Sequence, residues 1–222
     1  MALSHKDTSE INSGHGVLQD ETLINLANQY YTPLYVYDGN QILKNFKAFQ
    51  KAVSNLNSKV HFAVKANSSV AILSLLNTAG AGADIVSGGE LQRALNANIN
   101  PDNIIFSGVG KTDDELLLAM YHGIGQINIE SGAELDRIAA LAASNNFKCS
   151  IALRVNVDVD PGSHEKISTG QNTTKFGIAL TDGQAESYYE RISSHPNLTP
   201  SGLAVHIGSQ LKNLIPFETA YN

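Results

Sequence analysis

A chain of 222 residues, 42% apolar and 16% charged, carries enough apolar side chains for a sizeable core of one or two domains. Its net charge of −6, with only 15 Lys and Arg and no basic cluster, argues against a nucleic-acid binder, which neutralises phosphates with grouped cations. The first ten residues lack an apolar signal core, apolar runs such as residues 116–120 are far too short to span a bilayer, and a lone cysteine, Cys149, cannot form an internal disulfide. A reducing cytoplasm away from membranes is therefore the expected location, with Cys149 as a buried small apolar residue.

In chain order, residues 22–38 predict a helix, a break at Pro33 and a short strand, and residues 40–53 predict a second helix. From residue 59 a pattern recurs about every 22 residues: an apolar run, a small or polar loop, then an amphipathic helical stretch. The predicted strands are 60–65, 83–87, 104–108, 126–131 and 149–156, with a sixth at 202–208 after a longer insertion. The predicted helices between them are 69–80, 89–99, 112–123 and 133–144, the third opening with Thr112 and Glu115 spaced as a capping box. Strands alternating with helices at this spacing form βα units around a parallel sheet.

Alternate side chains on a strand point to opposite faces. Val60, Phe62 and Val64 oppose His61, Ala63 and Lys65; Ile127 and Ile129 oppose Asn128 and Glu130. Ile151, Leu153 and Val155 oppose Ala152, Arg154 and Asn156, and Leu203, Val205 and Ile207 oppose Ala204 and His206. One face is apolar; the other is small, then polar. A doubly wound sheet is covered by helices on both faces and is apolar on both. A (β/α)8 TIM barrel carries helices outside and can hold polar groups inside, near its C-terminal mouth, which makes it the expected fold. Six βα units are visible where a complete barrel takes roughly 250 residues. Residues 1–37 are expected outside the barrel and residues 38–222 within its incomplete wall.

Lys65, Arg154 and His206 all fall at C-terminal strand ends on the polar face and are expected to meet at one mouth, where barrel enzymes do chemistry. A lysine pressed into an apolar site becomes a usable amine for a Schiff base with a carbonyl. The competing reading is a structural lysine paired with Asp84 or Glu130. Weaker signals surround these residues. Gly110-Lys111-Thr112 resembles the end of a Walker A loop, but Ile105 stands where that loop needs glycine. The glycine turn 87-SGGE-90 could offer amides to an anion, and His61 reads as an interior histidine. The seven histidines lack zinc-ligand spacing, and Asp158 and Asp160 lack that of a calcium loop, so no metal site is expected.

The segment 61-HFAVKAN-67 resembles the lysine motif of fold-type III pyridoxal-phosphate enzymes. With 80-GAGADIVSGGELQRAL-95, 106-FSGVGKTDDEL-116, 125-GQINIESGAEL-135, 153-LRVNVDVDPGSHEKISTGQNTTKFGI-178 and 202-GLAVHIGSQL-211, the chain is similar to the N-terminal portion of the diaminopimelate decarboxylase family. The likeness runs from about Thr22 to the end, and its most specific piece is His164 to Gly177. One departure is Tyr31, where the family usually has glycine before Thr-Pro.

The resemblance implies pyridoxal 5'-phosphate as cofactor, with Lys65 forming the Schiff base and His206 stacking on the ring as the catalytic pair. It further implies that Ser209 contacts the phosphate and that Asp84 and Arg154 line the cofactor site. The implied reaction removes the carboxylate at the D-configured end of meso-diaminopimelate, giving L-lysine and CO2 in a homodimer. The family's main phosphate loop, pyridine-nitrogen partner, substrate-binding arginine and tyrosine, and cysteine proton donor all come later than Asn222. The 222 residues alone are therefore expected to be inactive and poorly soluble, with exposed strand edges. The alternatives are a decarboxylase of the same fold for ornithine, arginine or carboxynorspermidine, a non-catalytic pyridoxal-phosphate protein, and a Schiff-base aldolase using Lys65 without a cofactor.

Overall fold

The computed structural model describes residues 18–157, 159, 177–180, 183–209, 211 and 213–221. The chain divides into two compact units, Met1–Ser58 and Lys59–Asn222. Among the described residues the first holds two helices, α1 (Asp20–Tyr30) and α2 (Gly39–Ala52). The Asp38 carboxylate starts α2 by accepting the amides of Asn40 at 2.9 Å and Gln41 at 3.1 Å. Residues 34–38, expected to form a short strand, form none. Tyr31 ends α1 at φ 67°, a backbone conformation that suits glycine, which explains why a glycine fits the resemblance at this position.

Among the described residues the second unit carries seven strands: β1 (His61–Ala63), β2 (Gly82–Ile85), β3 (Ile104–Phe106), β4 (Gln126–Ile129), β5 (Cys149–Asn156), β6 (Ile178–Ala179) and β7 (Leu198–Ala204). Its helices are α3 (Val70–Thr78), α4 (Gly88–Asn96), α5 (Asp113–His122), α6 (Gly132–Asn145), α7 (Gln184–Ser194) and α8 (Ile215–Tyr221). Every strand pairing is parallel, and β1 to β5 stand side by side in chain order. A doubly wound sheet reverses direction at a switch point; this order has none, as in the wall of a barrel. The structure therefore has the expected alternating βα units around a parallel sheet.

The outward face of this wall is the core. Ile104, Phe106, Ile127, Ile129, Ile151 and Leu153 are fully buried together with Leu91, Leu116, Leu135 and Ile138 of the surrounding helices. Ile104 and Phe106 lie two residues apart on β3, as do Ile127 and Ile129 on β4, so the period-2 pattern sends one set of side chains to the helices and the other inside. Thr112 and Glu115 form the expected capping box at the start of α5.

The last part of the wall differs from expectation. β6 is a two-residue strand that pairs Ile178 and Ala179 with Val155 and Asn156 at the end of β5. β7 begins at Leu198, earlier than the predicted start at Gly202, and pairs along β5 from Cys149 to Arg154. Proline within a strand signals an interruption, yet here Pro200 pairs with Ile151 while Gly202 pairs with Ala152, leaving Ser201 as the extra residue of a bulge. The apolar run 205–207 lies beyond the strand, and Leu203, expected on the covered face, is 59% exposed.

Candidate functional site

The C-terminal ends of the strands carry the polar groups. β1 stops at Ala63, and the chain turns through a one-turn 3-10 helix, Val64–Ala66. Val64 takes the buried position in that turn, so Lys65 points outward and is exposed rather than enclosed by apolar side chains. Among the described residues, Lys65 forms no hydrogen bond or salt bridge, so neither Asp84 nor Glu130 pairs with it. Its charge nonetheless acts on both Asp84 and His206, which brings these three residues to one mouth.

Asp84 lies on β2 and accepts a hydrogen bond from the Ser107 hydroxyl at 2.6 Å. The Asn128 side-chain amide donates to Ser107 at 3.0 Å, and Gln126 donates to Asn128 at 2.7 Å. The Ser201 hydroxyl at the β7 bulge donates to Gln126 at 3.1 Å. A hydrogen-bonded chain thus crosses the interior from β2 to β7, satisfying polar groups that burial would otherwise penalise. Burial pushes the Asp84 carboxyl above its ordinary range, opposed by the Ser107 bond and by the charges of Lys65, His61 and Arg154.

His61 occupies the interior as expected. Its ring lies over Gly82, where a Cβ would overlap the imidazole and approach the Asn103 carbonyl oxygen to 2.5 Å. Burial lowers its pKa from 6.5.

On the opposite side, Arg154 of β5 donates from Nη1 to both carboxylate oxygens of Glu130, at 2.7 and 3.0 Å. The side chains of this pair are 14% and 5% exposed. His206 sits two residues past β7. Burial lowers its pKa from 6.5, and the positive charges of Arg154 and Lys65 add to the shift while Glu130 opposes it. Its surroundings therefore favour the neutral imidazole. Val205, His206 and Gly208 also border a small depression with Phe217 and Tyr221 of α8. Ser209 is exposed, three residues beyond His206.

The charges of Lys65 and Arg154 thus reach both Asp84 and His206 at the C-terminal ends of the strands. Sequence reasoning missed Ser107 and Asn128 as the supports of Asp84. It named Glu130 only as a possible lysine partner. The alternation of β4, with Asn128 and Glu130 on the face opposite Ile127 and Ile129, is the signal that points to both.

Two weaker sequence signals find structural roles. The Lys111 ammonium is buried and donates to Gly108 O, Asn128 O and Glu134 Oε1, while Thr112 caps α5, so Gly110-Lys111-Thr112 is not a phosphate loop. In 87-SGGE-90 the Gly88 amide already donates to Glu115 Oε1 at 2.7 Å. Cys149 is buried, and burial pushes its thiol up to about 11. Asp158, Asp160 and residues 164–176, the most specific stretch of the resemblance, lie outside the described residues. Among the described residues no helix is long and apolar enough to cross a membrane.

The family described as pyridoxal-dependent decarboxylase, pyridoxal binding domain, matches residues 39–222. A diaminopimelate decarboxylase of Zymomonas mobilis is 47% identical over 213 residues, 95% of this chain and 50% of the relative. One from Aquifex aeolicus is 42% identical, over 95% of this chain and 49% of its own length. The crystal structure of diaminopimelate decarboxylase from Helicobacter pylori, complexed with L-lysine, superimposes with a TM-score of 0.85 at 39% identity, covering 89% of this chain and 50% of that one. The chain spans about half the length of the curated relatives it matches.

Proposed function

The chain belongs to the pyridoxal-dependent decarboxylases, and from that premise we propose that it is the pyridoxal-binding part of an enzyme that converts meso-diaminopimelate to L-lysine and CO2. One observation carries the reading: Lys65 has an exposed amine with no hydrogen-bond or salt-bridge partner among the described residues, at a mouth ringed by Asp84, Arg154 and His206. A structural lysine would be spent on Asp84 or Glu130. Here Asp84 is held by Ser107 and Glu130 by Arg154, and the amine is left for an aldehyde.

These residues fit pyridoxal 5'-phosphate. Lys65 would hold the cofactor's aldehyde. The half-buried His206 presents a flat ring suited to stacking on a second aromatic ring, and Ser209 supplies a hydroxyl for the phosphate. Asp84 and Arg154 line the site, and Glu130 fixes the Arg154 guanidinium. Bound there, the cofactor supplies the electron sink for the charge left when CO2 departs. The residues of this chain bind and orient; the reading assigns none of them as proton donor to the product.

The substrate is supported by the named relatives and by the L-lysine in the Helicobacter pylori structure. The family match from residue 39 onward supports residues 38–222 as the barrel portion and residues 1–37 as a segment outside it. A cytoplasmic homodimer remains part of this reading. The test is to treat the 222-residue chain with pyridoxal phosphate and borohydride, map the modified peptide, and then assay lysine production from meso-diaminopimelate with the whole enzyme of which this chain is read as the pyridoxal-binding part. Label confined to Lys65 in the chain, together with lysine release by the whole enzyme, is the expected result. A Lys65→Ala chain that still takes up label at one site, or that still decarboxylates, sinks the assignment; release of a different amine instead of lysine sinks the substrate.

A further inference from the structure

We propose that Lys111, on the far side of the sheet from the site, is a positioning residue that sets both flanks of Lys65 by clamping the end of β4. This inference rests on the pyridoxal-binding reading of Lys65. The ammonium is fully buried and donates three hydrogen bonds: to Gly108 O at 2.6 Å, Asn128 O at 2.7 Å and Glu134 Oε1 at 2.9 Å. It also lies 5.5 Å from the centre of the Phe106 ring, on the core side of the wall. The second oxygen of Glu134 accepts the Glu130 amide at 2.8 Å. One cation therefore fixes the backbone at Asn128 directly and at Glu130 through Glu134.

Those two residues send their side chains to the opposite face. Asn128 supports Ser107, which holds Asp84; Glu130 holds Arg154, whose charge acts on His206. Asp84 and Arg154 are the two flanks of the proposed cofactor site, and both trace back to the same ammonium. A lysine with three acceptors from three segments is costly to bury and leaves no donor for a ligand. Its effect on the site is through backbone placement, where shifts of about 1 Å can change rates by roughly a hundredfold.

The test compares Lys111→Met, Lys111→Arg and Glu134→Gln with Glu90→Gln, which changes the corresponding carboxylate of the β2–α4 turn. Each is made in the whole enzyme of which this chain is read as the pyridoxal-binding part, and loaded with pyridoxal phosphate. Three quantities are read: the pH midpoint of the bound cofactor's absorption band, kcat and KM separately, and the His206 imidazole titration by NMR before cofactor is added. In Glu134→Gln the amide turns a donor toward the Glu130 amide, so it carries the test should Lys111→Met fail to fold. The expected result is a kcat loss of roughly tenfold or more with a smaller change in KM, and displaced absorption and His206 midpoints. Lys111→Arg recovers part of each, and Glu90→Gln leaves all three at wild-type values. A Glu134→Gln chain that melts earlier yet keeps the wild-type midpoints and kcat overturns the proposal and leaves the clamp purely structural. Failure of the cofactor reading itself shows separately, as a wild-type chain that gives no borohydride label at Lys65.

Discussion

The turn from β2 into α4, Val86-Ser87-Gly88-Gly89-Glu90-Leu91, and the turn from β4 into α6, Glu130-Ser131-Gly132-Ala133-Glu134-Leu135, share a backbone and a hydrogen-bond pattern. Ser87 and Ser131 both cap at φ near −158° and ψ 161°, each accepting the amide of the glutamate three residues on at 3.2 Å. Each glutamate reaches back to the amide preceding the serine, Val86 or Glu130, at 2.8 Å. Leu91 and Leu135 then enter the core. The local instruction is the same; the surroundings are not. Glu134 is 6% exposed and takes the buried Lys111, whereas Val86 and Glu90 face partly outward. The first turn starts a helix and gives its Gly88 amide to Glu115 of α5. The second starts a helix and also holds the residue that grips Arg154. What a repeated motif does is decided by the residue that approaches it from another segment.

The sharpest way to break this comparison is to remove each glutamate. Glu134→Ala leaves the Lys111 ammonium buried without its carboxylate, a loss of about 3–5 kcal/mol, while Glu90→Ala removes a reaching side chain at a partly exposed turn and costs about 1 kcal/mol. Urea unfolding of the two variants measures the difference; equal losses would mean that the Lys111 contact adds nothing. The serines give the matching control. Ser87→Ala and Ser131→Ala each remove one cap of the same geometry and should each cost about 1 kcal/mol. A markedly larger loss at Ser131 would show that the two caps are not equivalent after all.

Much of this was legible in the sequence. The alternation in β4 and β5 gives their inward and outward faces because the period of a strand is fixed, and Thr112 with Glu115 gives a helix start directly. Other features depend on partners distant in sequence. β6 is only two residues long and exists because Ile178 and Ala179 meet the end of β5. β7 extends through Pro200 because a bulge at Ser201 absorbs the interruption. The placing of Lys65, Arg154 and His206 at strand ends was readable from the alternation, but the 3-10 turn Val64–Ala66 that exposes Lys65 was not, because a strand and a turn can both bury Val64. In the sequence Lys111 shows only a poor match to a phosphate loop and no other role, because its three acceptors come from three separate segments.

A pH series separates the two flanks that these turns support. His61 acts on Asp84, on the β2 side, and His206 lies beside Arg154 and Glu130, on the β4 side. Both imidazoles have pKa values lowered from 6.5, by burial first. A lowered histidine pKa means that the unfolded chain binds protons more readily. The stability from these groups is present above pH 6.5 and is lost as the pH falls through their folded values. Asp84 has the opposite sign: its carboxyl is raised above 3.8, so its contribution is present at low pH and is lost as the pH rises through its folded value. Urea midpoints should therefore fall on going below pH 6.5. His61→Asn and His206→Asn should each flatten part of that fall, and a slope unchanged in both variants would refute the assignment.

The smallest effect is expected where an ion pair resembles the Lys111–Glu134 pair in chemistry but not in setting. Arg191 pairs with Asp136 across α7 and α6, with side chains 46% and 65% exposed. The Arg191 guanidinium also lies 5.6 Å from the Tyr188 ring, so it keeps a contact when the carboxylate goes. In water the attraction between two such charges is weakened by solvent and salt and is offset by the entropy of holding two long side chains still. Asp136→Asn should change stability by no more than about 0.5 kcal/mol, and less in high salt. The same unfolding assay that resolves Glu134→Ala from Glu90→Ala measures this directly. A loss at Asp136 approaching that at Glu134 would mean that burial is not what distinguishes the clamp behind β4, and the contrast between the two turns would need another cause.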